Sequence, residues 1–571
     1  MTTLETEESA STEPAVVTTG SDPDVTTHHG TVTVQPPKWL SSTDHKVIGQ
    51  LHLIGGLFGL LATIVVNVVI GIERVDGSDV LVDDALSQLF DAQRVGLVFG
   101  AAVPLALALC VAITPLQLGA RSIAFPRLAA LGFWLWFGGL VLNVVALIAN
   151  GGSLGDSDDM VDLFMASLAL MALGVTATAV SIGTTVLTTR APGMTMRRVP
   201  FFSWSALITA IAMVLVMPVF VGTLIYLFLD HRNARAGFGG NSGFYTWAGW
   251  LFTQPATYLF AIPAIGLLAE LLPVTFRKRT PARGVMIAGL GLIGVAALAA
   301  VTQQNIQRLP WSGSELNLDD LGSKAEDLVP FAYFNLLPLL GMLIVILMGL
   351  VLAKPQKGVR PNVGPAFAFG LFGYGMVFVG MLGTVLYAVD DLALQGTVFE
   401  EAALIYIVYG AALGVMGGIV YWAPKLWGNA PSAAKLAPLA LLGVLATVLA
   451  SFPHYIAGFL DQPAGPIYDN DDLVIWNILV LVGHALMGLT VLAFIGLLAS
   501  VNRSRDGERD TMGDDPWDGH TLEWATTSPA PGDNFVDVPV VHSAEPVLDF
   551  RIAAANTSAT TARATTDGSS N

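Results

Sequence analysis

Charged residues are scarce in this sequence, and it contains only one cysteine. Asp, Glu, Lys and Arg together make up 12% of the 571 residues, whereas hydrophobic residues make up 53% and the mean hydropathy is +0.64. Such a composition excludes an ordinary soluble globular protein and is typical of a protein that crosses a membrane many times. Cys110 has no second cysteine with which to form an internal disulfide, so core packing is its expected role.

Long apolar runs account for most of the chain. We count twelve that reach the roughly 20 residues a helix needs to cross a bilayer. They must be helical, because lipid cannot satisfy the hydrogen bonds of an open backbone. The sequence therefore predicts an all-α integral membrane protein with a twelve-transmembrane-helix bundle over residues 47–500. The predicted spans are 47–72, 88–118, 127–150, 160–188, 203–230, 247–276, 283–304, 328–353, 363–389, 398–424, 434–459 and 472–500.

The loops between these runs alternate in charge. Five of them carry basic residues and no acid: Arg121 and Arg127; Arg190, Arg197 and Arg198; Arg277, Lys278, Arg279 and Arg283; Lys354, Lys357 and Arg360; Lys425 and Lys435. The loops on the opposite side hold acidic clusters around residues 73–84, 156–159, 315–327, 390–391 and 461–472. By the positive-inside rule, the basic loops and both chain ends are predicted to face the cytoplasm. The net charge of −17 then comes mainly from the outer loops and the tails, and nothing in it indicates nucleic-acid binding.

Polar segments flank the apolar region on both sides. Residues 1–46 are rich in Ser, Thr, Asp and Pro and lack the apolar core of a signal peptide, so they are predicted to form a disordered cytoplasmic tail. Residues 501–571 are predicted to form a cytoplasmic, mostly extended C-terminal tail without a catalytic domain of its own.

Short motifs at the ends of the spans identify a family. They are STDHKVIG at 42–49, GARSIAFPRL at 119–128, DHRN at 230–233, YWAPKLWG at 421–428 and DPWDGHTLEWATTSP at 515–529. This series resembles subunit I of cytochrome c oxidase, in the haem–copper oxidase superfamily, over roughly residues 37–535. The C-terminal motif makes 515–535 a subunit I-like segment. The resemblance implies a twelve-helix fold with two haems, one copper and a place in aerobic respiration.

The metal-binding positions of that family hold other residues here. The copper motif His-Pro-Glu-Val-Tyr of the sixth helix corresponds to Gln254, Ala256 and the retained Tyr258, with Pro255 and Thr257 between them. Its proton-relaying glutamate is thus replaced by Ala256, and Tyr258 is expected to be a structural tyrosine with a local hydrogen bond. The two copper histidines of the seventh helix correspond to Ala297 and Leu298.

The haem positions are also substituted. The resemblance places the haem ligand of the second helix at Gln93 or its neighbour Ala92, and the two haem ligands of the tenth helix at Ala403 and Ile405. The arginine pair that binds the haem propionates corresponds to Ala464-Gly465, which has no charged donor to offer. These losses predict that no haem and no copper is bound.

The proton routes of the family are altered as well. The aspartate at the entrance of one route corresponds to Ser122, and no lysine lies between Lys324 and Lys354, where the other route would need one.

Other polar residues within the spans could serve as replacement ligands. His52 and His484 lie in the first and twelfth spans, and we interpret them as hydrogen-bonded histidines; a shifted haem bound by this pair is the alternative. Glu270, Glu400 and Glu401 lie near span ends, and we interpret them as interfacial, with a relocated proton or cation path as the alternative. The GxGxxG pattern at 289–294 follows no strand, so small residues at a helix–helix contact explain it better than nucleotide binding.

Three functions remain open. The first is a redox-inactive structural or assembly subunit that pairs with respiratory oxidase subunits or with a paralogous subunit I. The second is an active terminal oxidase that uses an unrecognised ligand set to pass electrons from cytochrome c to oxygen while pumping protons. The third is a transporter or lipid-binding module that reuses the vacated haem cavity, with a polar path that includes Gln303, Gln304 and Asn305. Acidic outer loops would also attract a basic c-type cytochrome, although simple solvation accounts for them.

Overall fold

The molecule is a bundle of membrane-spanning helices. The computed structural model describes residues 42–76, 83–234, 237–253, 258–295, 297, 309, 325, 328–465, 470–503 and 512–568. Among these residues there is no β-strand, and only two isolated β-bridges occur. Eleven helices in the described part of the chain are long and apolar enough to cross a membrane. The all-α membrane fold predicted from the sequence is therefore confirmed.

The helices are numbered in chain order. They are α1 (His45–Asp76), α2 (Asp83–Val95), α3 (Val103–Leu118), α4 (Pro126–Ile148), α5 (Asp158–Thr188), α6 (Phe201–Arg232), α7 (Phe244–Trp247), α8 (Tyr258–Phe276), α9 (Arg283–Gly294), α10 (Leu337–Ala353), α11 (Pro365–Tyr387), α12 (Phe399–Trp427), α13 (Ala433–Phe459), α14 (Val474–Arg503) and α15 (Pro546–Gly568). The short apolar helix α9 lies where the seventh span is predicted, and most of the remainder of that span is outside the described residues.

Three spans form the centre of the bundle. They are the α2–α3 span, α8 and α12, and almost every residue of their apolar parts is buried. The outer helices bury about half of their apolar residues or fewer and leave side chains such as Ile148, Leu347 and Leu350 exposed. An apolar exposed face is expected for a helix in contact with lipid tails. Three of the four spans that carry the substituted positions are therefore the central ones.

Glycines allow several helices to approach each other closely. A Cβ atom on Gly59 of α1 would lie 2.0 Å from the carbonyl oxygen of Gly100. A Cβ on Gly341 of α10 would lie 2.4 Å from the carbonyl oxygen of Gly289 of α9. Gly289 begins the GxGxxG pattern, so its interpretation as a helix-contact motif is confirmed.

The second span is not a continuous α-helix. A π-helical segment, Gly96–Ala102, joins α2 to α3 and lies one turn beyond Gln93. The indole nitrogen of Trp136 on α4 donates a hydrogen bond of 2.9 Å to the Phe99 carbonyl within this segment. Wide turns of this kind are uncommon and often occur close to functional sites.

The C-terminal segment packs onto the end of the bundle that carries the basic loops. Glu523 is fully buried there and accepts hydrogen bonds from Gln117 of α3 at 3.1 Å and Trp422 of α12 at 3.0 Å. The main chain then turns beneath α1 before it enters α15. The prediction of a mostly extended tail is wrong for residues 546–568, because its polar sequence lacks the apolar period that would have indicated this helix.

Candidate functional site

A buried ion pair lies beside Gln93, which the family resemblance places at the haem ligand of the second helix. The guanidinium of Arg74, at the end of α1, donates two hydrogen bonds to the Glu401 carboxylate, one of 3.1 Å to Oε1 and one of 2.9 Å to Oε2. The side-chain amide of Gln93 donates a third, of 2.8 Å, to Oε1. The Arg74 and Glu401 side chains are only 3% and 11% exposed. A bidentate arginine–carboxylate pair is among the stronger polar contacts found within proteins.

The two substituted positions on α12 contribute only packing. Ala403 and Ile405 are completely buried, and Ile405 belongs to the main hydrophobic core. Neither side chain carries an atom that could donate electrons to iron. Ala297, the first of the two copper-ligand equivalents of the seventh span, is also buried in that core, while Leu298 lies outside the described residues.

Tyr258 has the local hydrogen bond expected of it. Its buried hydroxyl bonds to Oγ1 of Thr384 on α11, and that hydroxyl in turn donates a bond of 2.6 Å to the Met381 carbonyl. The tyrosine therefore ties α8 to α11. Gln254 and Ala256 lie outside the described residues.

Ala464 and Gly465, the predicted counterparts of the propionate-binding arginines, lie at the edge of a cavity. The amide nitrogen of Ala464 donates a bond of 2.7 Å to the Gly396 carbonyl, and Gly465 has a φ of +89° with open space where a Cβ would be. Both residues line a cavity of about 470 Å³ at the end of the bundle that carries the acidic loops. Gln93 and Glu401 also line it.

A second polar cluster lies deeper between α1, α12 and α14. The Tyr409 hydroxyl accepts a hydrogen bond of 3.2 Å from Asn67 and lies 2.9 Å from Nδ1 of His484. His52 has different neighbours: its Nδ1 lies 3.0 Å from the Ile48 carbonyl, and its ring stacks on Trp136. Each histidine thus hydrogen-bonds within the bundle, and the two have no shared neighbour in these contacts.

Two of the three glutamates interpreted as interfacial are buried instead. Glu401 is in the ion pair described above, and Glu270 is 3% exposed and accepts a bond of 3.2 Å from the Phe202 amide. Glu270 lies on the side of the bundle where Glu523 is buried, and burial raises the pKa of Glu523. Ser122 is half-buried in the α3–α4 loop on that same side.

The residues that the family resemblance places at the haem positions do not fit a haem. A haem iron takes a nitrogen or sulfur ligand on its axis, whereas the Gln93 amide donates to Glu401 and Ala403 and Ile405 have no ligand atom. Within the described ranges, no group of three His, Cys, Asp or Glu side chains is arranged to hold a metal ion. Each oxygen of Glu401 already accepts at least one hydrogen bond.

Hydropathy does not reveal the most prominent pair of this site. Arg74 and Glu401 are 327 residues apart and both lie at span ends, where charged side chains usually reach the interface. The only signal in the sequence was that Glu401 falls two residues before a substituted ligand position, on the same helix.

Comparison with known proteins agrees with this fold. Residues 47–302 match the family described as Cytochrome C and Quinol oxidase polypeptide I. A Streptomyces avermitilis protein named as cytochrome c oxidase subunit 1-beta is 30% identical over 542 residues, which cover 90% of this chain and 92% of that protein. Cytochrome c oxidase subunit 1 of Bacillus subtilis is 27% identical over 535 residues, covering 89% and 82%.

A solved structure shows the same fold at lower sequence similarity. The chain aligns with a heme–copper terminal oxidase dimer studied by cryo-electron microscopy, with a TM-score of 0.58 and 13% identity. The alignment covers 83% of this chain and 85% of the other. Together with the end-to-end match to the Streptomyces relative, these findings show that the chain belongs to the cytochrome c oxidase subunit I family.

Proposed function

We propose that this chain is a redox-inactive subunit I of the aerobic respiratory apparatus, with a structural or assembly role. The observation that carries the proposal is the bonding of Gln93. Its amide is held by the Glu401 carboxylate, which Arg74 neutralises, at the place where the family binds haem. The buried Ala403 and Ile405 complete a site without an iron ligand.

The proposed partners are other respiratory oxidase subunits or a paralogous, metal-containing subunit I. Relatives of this chain carry the name of an oxidase subunit, which supports partners of that kind. A basic c-type cytochrome on the acidic outer loops is a weaker candidate, and its binding would fall steeply with salt.

We place the chain in the cytoplasmic membrane with both ends on the cytoplasmic side. In support, the C-terminal segment contacts the basic loops directly: Arg198 donates a bond of 3.1 Å to the Val541 carbonyl, and Arg279 pairs with Asp549. The start of α1 lies at the same end, since Lys46 donates bonds of 3.1 and 3.2 Å to the carbonyls of Pro531 and Gly532. The positive-inside rule then assigns this end to the cytoplasm.

A reduced-minus-oxidised visible spectrum with metal analysis of the same purified sample tests the proposal. We expect no Soret band and no copper, with a metal-containing relative expressed in parallel as the control for cofactor supply. Haem at one or two equivalents per chain would refute redox inactivity and support an active terminal oxidase. Substitution of His52 and His484 would then identify the ligands.

The cavity beside Ala464 gives specific support to a second candidate, a module that binds a small molecule or lipid. Gln93, Ala464 and Gly465, three of the substituted positions, line this open space. The side chains that line the cavity indicate which kind of ligand would fit it.

A further inference from the structure

The outer cavity has three zones along its depth. Its rim contains the exposed side chains of Leu154 and Ser242. Charged residues form the middle zone, and the buried side chains of Leu97, Phe252 and Leu404 form an apolar floor. A volume of about 470 Å³ falls within the roughly 300–1,000 Å³ common for small-molecule sites. An apolar floor beneath a charged zone suits a molecule with an apolar body and a polar group.

Arg94 is the cation of the middle zone whose hydrogen-bond donors have no acceptor among the described residues. Its guanidinium lies over the ring of Tyr245, with 4.7 Å from its central carbon to the ring centre. Among the described residues, no carboxylate oxygen lies within 4.0 Å of its nitrogens, and no acceptor forms a hydrogen bond with it. Arginine presents five donors in a planar fork that matches a carboxylate or a phosphate. The donors of Arg94 are therefore available to a ligand.

The carboxylates around Arg94 differ in how far their oxygens are already occupied by hydrogen bonds. Asp91 already accepts bonds from the amide and hydroxyl of Ser153 and from the Tyr245 hydroxyl. Glu401 is held by Arg74 and Gln93. Glu400 accepts only a bond of 3.2 Å from Tyr387 among the described contacts. Glu400 is thus the acceptor that can still bind a donor in the cavity.

Charge balance decides which kind of ligand fits. The three carboxylates stand beside two guanidinium groups, those of Arg94 and Arg74, so an added anion would be repelled in this partly desolvated space. A molecule with one acidic and one ammonium group can pair with both Arg94 and Glu400 without adding net charge. We propose that the cavity binds a zwitterion with an apolar body, its acidic group at Arg94 and its ammonium group at Glu400. The proposal rests on the absence of haem, because Gln93, Ala464 and Gly465 line the same space.

Two sources could supply this chemistry. A phosphatidylethanolamine from the outer leaflet carries a phosphate and an ammonium at the depth of the membrane interface, and its acyl chains would leave across the rim at Leu154. A free apolar amino acid carries a carboxylate and an ammonium and would enter from solution. Short-chain phosphatidylethanolamine and phenylalanine are the corresponding probes.

Calorimetric titration of the purified full-length chain in uncharged detergent tests the proposal. We expect one of the two probes to bind, and Arg94→Met and Glu400→Gln each to weaken its binding about tenfold to a hundredfold, the range of a lost charge-assisted hydrogen bond. Phosphatidylglycerol of the same chain length lacks the ammonium group and should bind at least about tenfold more weakly than phosphatidylethanolamine. Arg127→Met, an exposed arginine at the opposite end of the bundle, is the control and should change nothing.

Three results would overturn the proposal: binding of neither probe to the folded chain, binding that both cavity variants leave unchanged, or, where phosphatidylethanolamine is the probe that binds, equally tight binding of phosphatidylglycerol. If Arg94→Met does not fold, Glu400→Gln decides alone, because the amide keeps an oxygen for Tyr387. A visible spectrum of each sample separates the two proposals. A Soret band contradicts redox inactivity, whereas a sample without haem that binds no zwitterion contradicts only the cavity assignment.

Discussion

Removal of one partner from the Arg74–Glu401 pair should destabilise the bundle strongly. Arg74→Met keeps most of the side-chain length but leaves the Glu401 carboxylate in the protein interior with only the Gln93 amide as its described donor. A charge that loses its partner in such a place costs about 3–5 kcal/mol. Glu401→Leu should cost a similar amount, because it leaves a guanidinium that is 3% exposed without its acceptor.

A variant that carries both substitutions measures the interaction between Arg74 and Glu401 separately from the contacts of each residue with its surroundings. With both charges replaced by apolar side chains, neither is left unpaired, and the remaining cost is the unsatisfied Gln93 amide, about 1–3 kcal/mol. The two single costs should therefore exceed the cost of the double variant by at least about 2 kcal/mol, a large coupling for two residues in contact. Unfolding in mixed micelles of increasing SDS content, followed by the fluorescence of the 12 tryptophans, measures all three values.

A solvated pair in the same protein gives the matched control. Asp159 and Arg232 are 82% and 57% exposed at a separation of 3.1 Å, so Asp159→Asn should cost no more than about 1 kcal/mol. If the Arg74 and Glu401 variants behave like this control, with small and additive losses, the pair is hydrated, and its description as a buried ion pair that holds the Gln93 amide is refuted.

Three further changes have defined outcomes. Gly59→Ala should lower the unfolding midpoint in the same micelle assay, because its Cβ would lie 2.0 Å from the Gly100 carbonyl, whereas Gly138→Ala meets no atom within 4 Å and should not lower it. Glu523→Leu should release the C-terminal segment and raise its rate of proteolysis, since three donors lose their acceptor at about 1–3 kcal/mol each; an unchanged rate would contradict its role as an anchor. Burial and nearby arginines lower the pKa of His520 from 6.5 to about 4. When the C-terminal segment is undocked, His520 binds a proton more readily than when the segment is docked. The contribution of His520 to docking is therefore complete above pH 6.5 and falls as the pH drops towards 4. The tail of His520→Asn should consequently be less sensitive to acid than the wild-type tail, and equal proteolysis profiles between about pH 7 and pH 4 would show that this histidine is not involved.

The architecture could be predicted from the sequence because hydropathy alone determines it. A span such as 160–188 needs only a run of apolar residues of sufficient length, and α5 begins at Asp158 and ends at Thr188. Motifs at the span ends then gave the family. The second span was also predicted, but its π-helical segment was not, because a wide turn depends on tertiary contacts such as that of Trp136 with Phe99.

The site could be predicted only as a set of substitutions. The family resemblance places Gln93 and Ile405 at positions of haem-binding histidines, but it does not show what surrounds them. Glu401 was assigned to the interface because charged residues at span ends usually lie there, and its buried partner, Arg74, is on a different helix. The pattern of apolar and polar residues along one helix cannot indicate a contact between side chains of two different helices.

One side chain of the C-terminal segment holds that segment to the start of α1. Asn534 is completely buried, lies 3.1 Å from Nε2 of His45, accepts a bond of 3.0 Å from Lys46 and donates one of 2.7 Å to the Ala120 carbonyl. Translation makes α1 first and Asn534 nearly 500 residues later. The ammonium group of Lys46 therefore lacks its acceptors on Pro531, Gly532 and Asn534 until the last part of the chain has left the ribosome. The docking of α1 is thus completed only when synthesis is, and a chain that ends before residue 531 leaves the Lys46 ammonium group with the ion pair to Asp44, 3.3 Å away, as its one described polar contact.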